Sequence, residues 1–297
     1  MTAIDVRTIA EIEIPTRWTP SVATRTTRAW NRLRWVDRVA LFSLVGLTLV
    51  AIVGPSIAPY DPIERVGAAF LPPGSDGFLL GTDESGRDLL TRTLYGLRST
   101  WFSTVVLIAA TAIFGAIIGT IAGTVGGWVD GALMRVTDLI LALPGPLMAI
   151  AIVAALGRSL TNTLIAIAIC WWPWYARIVR NEVRALAARP HMEAARLAGA
   201  STRRLGLRHL FPGAVAPLVS TATLDVGTLV VTLTALTFLG LGAPPPAPEL
   251  GTMIASGTPY LLEYWWLPIV PGVMITMMAL VANLTGDAVT GLLGEER

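Results

Sequence analysis

Residues 190–212 read PHMEAARLAGASTRRLGLRHLFP, a short polar segment in an otherwise apolar chain. Pro190 suits the first position of a helix, because its missing N–H would have no partner there. Glu193 then places a carboxylate in the first turn, at the positive end of the helix dipole. Gly199 stands where a left-handed residue would end the helix. The pattern predicts a first short helix that ends near Gly199.

A second short helix should follow directly. Ser201 or Thr202 can cap its N-terminus, and we expect it to stop at Pro212. Ala194 and Ala195 are small, so they leave the backbone of the first helix open to close approach by a partner. We therefore predict a helix–turn–helix unit over residues 190–212, called the finger below.

The composition places the finger in a membrane protein. Hydrophobic residues make up 54% of the 297 residues, charged residues make up 14%, and the mean hydropathy is +0.64. These values lie outside the range of soluble domains.

Residue types that are rare or absent exclude several chemistries. All 22 basic residues are arginine, so the chain lacks the lysine of a P-loop ATPase and of a Schiff base. Cys170 is the only cysteine, and the only histidines, His191 and His209, lie in the finger. We expect no disulfide, no self-contained metal site and no catalytic residues, and any ATP would be hydrolysed by another chain.

Apolar runs predict an all-α polytopic fold with about six transmembrane helices. The runs cover residues 39–58, 100–128, 134–156, 163–178, 214–241 and 265–284. Pro144-Gly145-Pro146 should kink or break the third run. Glycines spaced by four, at positions 115, 119, 123 and 127, should let a second helix approach the second run closely.

Arginine asymmetry predicts the orientation. The Arg-rich tail of residues 1–38, the finger and the tail of residues 289–297 are expected inside. Residues 59–99 are expected outside, with an interfacial helix that carries Leu89 and Leu97. With Arg135, residues 177–208 and the two tails inside, and with residues 59–99 and Arg158 outside, seventeen arginines lie inside and five outside.

Two aspartates fall in or near predicted spans. Asp225 lies about midway along the fifth span, where an isolated charge costs about 2.5–3.5 kcal/mol. It should therefore face a translocation pathway or make a buried structural hydrogen bond, and both readings stay open. Asp138 lies near the cytoplasmic edge, where snorkelling or a partner such as Arg135 would accommodate it.

The finger also resembles a known motif. Glu193-Ala194-Ala195, followed by Gly199 and then by Phe211-Pro212, resembles the EAA loop of permease subunits of ATP-binding cassette (ABC) importers. In that family this cytoplasmic loop, here residues 179–212, docks into the ATPase subunit. The resemblance implies an ATPase-coupling role for these six residues.

Motifs outside the finger resemble one branch of that family. They are similar to C-type permeases of dipeptide and oligopeptide importers, and they are Gly81-Thr82-Asp83 with Gly86-Arg87-Asp88, Phe238 to Gly242, Glu249-Leu250-Gly251 and Asn283 to Asp287. The resemblance covers residues from about 39 to 287.

The resemblance implies a type I ABC importer permease fold and a multi-pass protein of the cytoplasmic membrane with both termini inside. The implied partners are a second homologous permease, ATPase subunits that bind the ATP, an extracytoplasmic binding protein, a peptide substrate and membrane lipids, with no nucleic acid. Relatives in this branch also carry glutathione or nickel complexes. An ion-coupled secondary transporter is the alternative from another class, with Asp225 as its deep ionisable group, and a membrane-embedded enzyme is a third.

Overall fold

The computed structural model describes residues 34–294, except for the side chains of residues 191, 196, 293 and 294. Residues 1–33, which make up most of the predicted N-terminal tail, and residues 295–297 lie outside this part. Within residues 34–294 the chain is helical and forms no β-strand. The helices are α1 (Trp35–Ile57), α2 (Leu89–Val125), α3 (Gly127–Leu141), α4 (Gly145–Leu156), α5 (Leu160–Ala187), α6 (Pro190–Leu197), α7 (Thr202–Leu205), α8 (Phe211–Leu236), α9 (Leu250–Gly257) and α10 (Trp266–Gly294).

Four stretches of helix in residues 34–294 are long and apolar enough to cross a bilayer. They are α1, α2, the continuous stretch Thr202–Leu241 that contains α7 and α8, and α10. Helices α3 and α4 form a fifth candidate, bent by 88° at their junction. The break expected at Pro144-Gly145-Pro146 is therefore present. Helix α5 is 28 residues long, but its arginines lower its hydropathy, so the count of six spans stays a prediction.

The sequence predicts an interfacial helix before residue 100 and a separate span after it, but the structure joins the two in one helix, α2. It begins at Leu89 and continues for 37 residues without a break, which corresponds to about 55 Å. The Asp88 side chain caps it, since Oδ2 accepts a hydrogen bond from the Thr91 N–H at 2.7 Å. No proline interrupts the helix, and Leu89 and Leu97 are buried at 2% and 0% exposure. These leucines are therefore core residues of the N-terminal end of α2.

The glycine spacing has the predicted effect on packing. A Cβ atom on Gly119 would lie 2.4 Å from the backbone oxygen of Ala176 in α5, and Gly115 and Gly123 meet the same helix. The backbones of α2 and α5 approach so closely because these positions lack side chains. Gly127 does not belong to this contact, since it has a φ of +57° and nothing near its Cβ position.

The exit from the finger also differs from expectation, because Pro212 does not stop a helix. The chain continues from α7 through a π-helical turn, Gly206–Leu210, into α8. In this wider turn the Phe211 N–H donates to the Gly206 carbonyl. The wider turn accommodates the proline, whose ring would otherwise clash with the carbonyl four residues earlier.

The C-terminal helix likewise passes its predicted end at residue 284. Helix α10 continues to Gly294, so residues 289–294 of the predicted tail are helical.

Candidate functional site

The finger is attached to the helical core by buried apolar side chains. Met192 of α6, Leu205 of α7 and Leu210 of the π turn are exposed by only 2%, 3% and 1%. They share one core cluster with Tyr175, Val179 and Val183 of α5 and with residues of α2 and α8. The finger therefore packs directly against α5 and α8.

Gly199 forms the turn of the finger as predicted. Its φ is +82°, and the Ala200 N–H donates to the Ala195 carbonyl at 3.1 Å. This six-residue closure around a left-handed residue is the Schellman motif that ends many helices. Nothing lies within 4 Å of the Gly199 Cβ position, so backbone conformation alone favours glycine here. The second predicted cap is also present, since the Ser201 hydroxyl accepts from the Arg204 N–H.

The residues expected to contact an ATPase divide between two faces. Glu193, Ala194 and Pro212 are exposed, whereas Ala195 and Phe211 are partly buried against the core cluster. The prediction that Ala195 leaves space for a partner therefore does not fit its position. Its role in the structure is to let α6 lie close to the core, because it follows Met192 by three positions and shares its face.

Leu197 is an exposed apolar residue that the sequence reasoning missed. It is 86% exposed at the end of α6. Its position could have been found from helical spacing, because it follows Met192 by five residues and so points about 140° away from the buried face. Glu193, Ala194 and Leu197 together form the outer face of the finger.

Ion pairs connect the broken span to the helix that leads into the finger. Asp130 of α3, whose side chain is 7% exposed, accepts from Arg180 at 2.9 and 2.7 Å and also pairs with Arg184. Asp138 pairs with Arg177, in place of the expected Arg135. Residues 177, 180 and 184 share one face of α5, so this face is joined to α3 by charge-assisted hydrogen bonds. The sequence analysis did not single out Asp130.

Asp225 lies in a polar cluster inside the helix bundle. From α8 its carboxylate interacts with the side chains of Tyr175 and Trp171, which are one helical turn apart on α5. Tyr175 is fully buried, and Asp225 is partly buried. Within residues 34–294, the Asp225 Oδ2, Tyr175 Oη and Trp171 Nε1 atoms are all buried without a hydrogen-bond partner. The two roles considered for Asp225 both remain compatible with this geometry.

A second polar cluster lies at the N-terminal end of α2, whereas the finger meets the C-terminal end of that helix. Arg92 Nη1 donates to the carbonyls of Pro62 at 2.8 Å and Pro246 at 3.2 Å, and its Nε lies 3.3 Å from Asp83 Oδ2. Arg92 thus ties two loops to the first turns of α2. Glu249 follows Pro246 by three residues, and its carboxylate accepts a hydrogen bond from the Ala243 N–H. Burial raises the pKa of this carboxyl.

No group of three or more metal-ligating side chains stands together within residues 34–294.

Comparison with known proteins agrees with this geometry. A family model described as the binding-protein-dependent transport system inner membrane component matches residues 115–295, a range that includes the finger, α5 and α8. The chain belongs to this family. Members of this family are transport permease subunits of the inner membrane, and the multi-pass helical fold fits that location.

Two relatives match this permease over most of its length. The di/tripeptide transport system permease protein DppC of Pseudomonas aeruginosa (strain UCBPP-PA14) is 41% identical over 253 residues, 83% of each chain. The dipeptide transport system permease protein DppC of Escherichia coli (strain K12) is 40% identical over 255 residues, 84% of this chain and 85% of the relative.

Solved structures confirm the expected permease fold. An inward-facing structure of the MetNI methionine ABC transporter has a TM-score of 0.51 at 20% identity, covering 67% of this chain and 96% of that one. An amino acid ABC transporter crystallised with histidines has a TM-score of 0.52 at 17% identity, covering 69% and 94%.

Proposed function

We propose that this permease forms half of the pathway of an ABC importer that takes up short peptides. The observation that carries the proposal is the 40–41% identity to permeases named for dipeptides and di/tripeptides, over more than four fifths of the chain. An identity of 40–41% is too high to reflect the shared membrane fold alone, since the amino acid and methionine transporters share that fold at 17–20% identity.

The complex would contain a second homologous permease, ATPase subunits and an extracytoplasmic binding protein. The outer face of the finger, Glu193, Ala194 and Leu197, supplies the surface for the ATPase. Leu197 offers an apolar anchor at 86% exposure, and burying such a side chain against a partner is favourable because apolar surface is removed from water. ATP remains on the partner subunits, and the chain contributes no catalytic residue.

Coupling would run from the finger into the spans through direct packing. Met192, Leu205 and Leu210 insert into the core cluster shared by α2, α5 and α8. When nucleotide draws the ATPases together, the finger moves with them and shifts α5 against α3 at the Asp130 ion pairs. This arrangement is a two-state element biased by nucleotide.

Both termini and the finger would lie on the cytoplasmic side. A cysteine at Ser201 in a background without Cys170 should then resist an impermeant thiol reagent added to intact cells, whereas cysteines at Asp76 and Pro246 should react. Labelling of Ser201 from outside would reverse the layout.

Uptake measurements test the transported class. Cells that express the complete importer should accumulate a labelled dipeptide, and excess unlabelled dipeptide should compete. Glutathione and a nickel complex are the matched competitors, and competition by either of them alone would assign the substrate to that alternative.

The same cells separate ATP-driven import from ion coupling. A Walker-lysine variant of the ATPase partner should abolish uptake while the membrane potential is intact. Uptake that persists in that variant and collapses with a protonophore would instead indicate a secondary transporter.

A further inference from the structure

A groove of about 450 Å³ lies between the C-terminal end of α2 and the segment that leaves the finger. Its walls are mainly apolar and include Ile121 and Val125 from α2 and Leu207 from the π turn, all of which are more than 40% exposed. Arg203 also lines the groove and is exposed. The groove is therefore an open apolar channel with a cationic side chain at its wall.

The groove continues an apolar stripe along α2. Ile113, Ile117, Ile121 and Val125 are spaced by four residues and are exposed by 61%, 51%, 42% and 55%. Residues at this spacing lie on one helix face. The stripe is about 18 Å long, slightly more than the depth of one leaflet's hydrocarbon, about half of 30 Å. One acyl chain therefore has the right length to lie along it.

Two hydroxyl groups are placed where the stripe enters the groove. Thr120 and Thr124 line the groove, and their Oγ1 atoms are buried with no hydrogen-bond partner within residues 34–294. Thr120 is only 9% exposed. Elsewhere in α2 the hydroxyls of Thr104 and Thr111 donate to the carbonyl four residues earlier, whereas those of Thr91 and Thr100 are also buried without a partner. A buried hydroxyl without a partner is destabilising, and Thr120 and Thr124 are the two that line the groove, where a bound ligand would supply the acceptor.

The groove lining combines aliphatic side chains, hydroxyl donors and the guanidinium of Arg203. A phospholipid presents the complementary groups, which are an acyl chain, ester carbonyls that accept hydrogen bonds, and a phosphate. Arg204 and Arg208 follow Arg203 on the same segment and add positive charge, which favours an anionic headgroup.

We infer that this groove binds one anionic phospholipid, with its chain along the α2 stripe and its phosphate at Arg203. The lipid then bridges α2 and the exit of the finger, which already meet where a Cβ atom on Gly206 would lie 3.2 Å from the Thr124 side chain. A second permease packed over the stripe is the competing occupant, and it would leave no room for an acyl chain.

Native mass spectrometry of the purified importer complex tests the inference. The probe is phosphatidylglycerol, added to the complex in equal amount with phosphatidylcholine. The wild-type complex should retain phosphatidylglycerol preferentially. Arg203→Gln should lower the retained amount roughly fivefold, the size expected for losing one arginine contact with an anionic headgroup. The matched control Arg204→Gln, on the same segment but outside the groove wall, should lower it less than twofold.

A second variant removes the hydroxyls without removing charge. Thr120→Val with Thr124→Val keeps the shape of both side chains and should also reduce retention, because the ester carbonyls lose their donors. Retained lipid is counted on assembled complexes, so the result does not depend on whether the transported solute is a peptide. Equal loss in Arg203→Gln and Arg204→Gln, equal retention of the two lipids, or a disulfide between Ile117→Cys and the second permease would each overturn the inference.

Discussion

The contact between α2 and α5 predicts a large effect for a single added methyl group. Replacing Gly119 by alanine places a Cβ atom 2.4 Å from the Ala176 backbone oxygen and 2.9 Å from the Val179 Cβ. An ordinary contact begins near 3.4 Å, so the helices must separate by about 1 Å. A backbone oxygen cannot rotate away as a flexible side chain can. We therefore expect a loss near the upper end of the range for overpacking, about 3 kcal/mol.

A matched glycine elsewhere in the chain isolates this contact. Gly46 lies inside α1 with nothing within 4 Å of its Cβ position. Gly46→Ala should leave stability unchanged or raise it by about 0.5–1 kcal/mol, the ordinary gain of alanine over glycine in a helix. Helix propensity is the same for both changes, so the difference between them measures the packing contact.

The assay is the unfolding of the purified complex in detergent, followed by the signal of a dye that reports exposed apolar surface. Gly119→Ala should unfold at a clearly lower temperature than the wild type, and Gly46→Ala should not. Equal stability of the two variants would refute the reasoning, because it would mean that α2 and α5 are not in backbone contact.

Three further predictions concern the polar and turn residues. Asp130→Asn should destabilise the complex by about 1–3 kcal/mol, less than for a fully buried pair because Arg184 is half exposed to solvent; additivity with Arg180→Gln in a double-mutant cycle would show that the two side chains do not interact. Asp225→Asn should reduce uptake per assembled complex, and a loss of assembly with normal uptake per complex would assign the carboxylate to a structural hydrogen bond. Gly199→Val should abolish uptake while the spans still insert, because a β-branched residue pays about 1–2 kcal/mol at this φ, whereas Gly199→Asn should retain most uptake; normal uptake in Gly199→Val would remove the turn from the coupling mechanism.

Features that depend on short sequence distances were predictable. The left-handed turn at Gly199, the cap at Ser201 and the break near residue 144 follow from the chemistry of single residues and their neighbours. The glycine spacing in α2 also indicated a close helix contact, because a four-residue period maps directly to one helix face.

Pairings between distant segments were not predictable in the same way. Asp130 and Arg180 are 50 residues apart, and only the packing of α3 on α5 brings them together. The sequence offered Arg135 as a nearer partner for Asp138, but Arg177 faces it across the helix contact. The inward position of Ala195 depends on how α6 lies on the core, which its own sequence does not determine.

Two helix boundaries were missed for a related physical reason. Pro212 has the local chemistry of a helix stop, yet the π turn before it allows the helix to continue. Leu89 and Leu97 have the spacing of an interfacial helix, yet tertiary packing buries them within the longer α2. In both cases the surrounding bundle outweighs a local signal.

The central claim is that the outer face of the finger holds the ATPase subunits, and one pair of substitutions tests it directly. Leu197→Asp places a charge at an apolar position that is 86% exposed on the finger, and Leu262→Asp makes the same change at a fully exposed position in the loop before α10. The permease should be purified through its own tag, and the ATPase subunits recovered with it should be quantified. Our account predicts that Leu197→Asp loses the ATPase subunits while Leu262→Asp retains them at the wild-type ratio. Full recovery of the ATPase subunits with Leu197→Asp would contradict it.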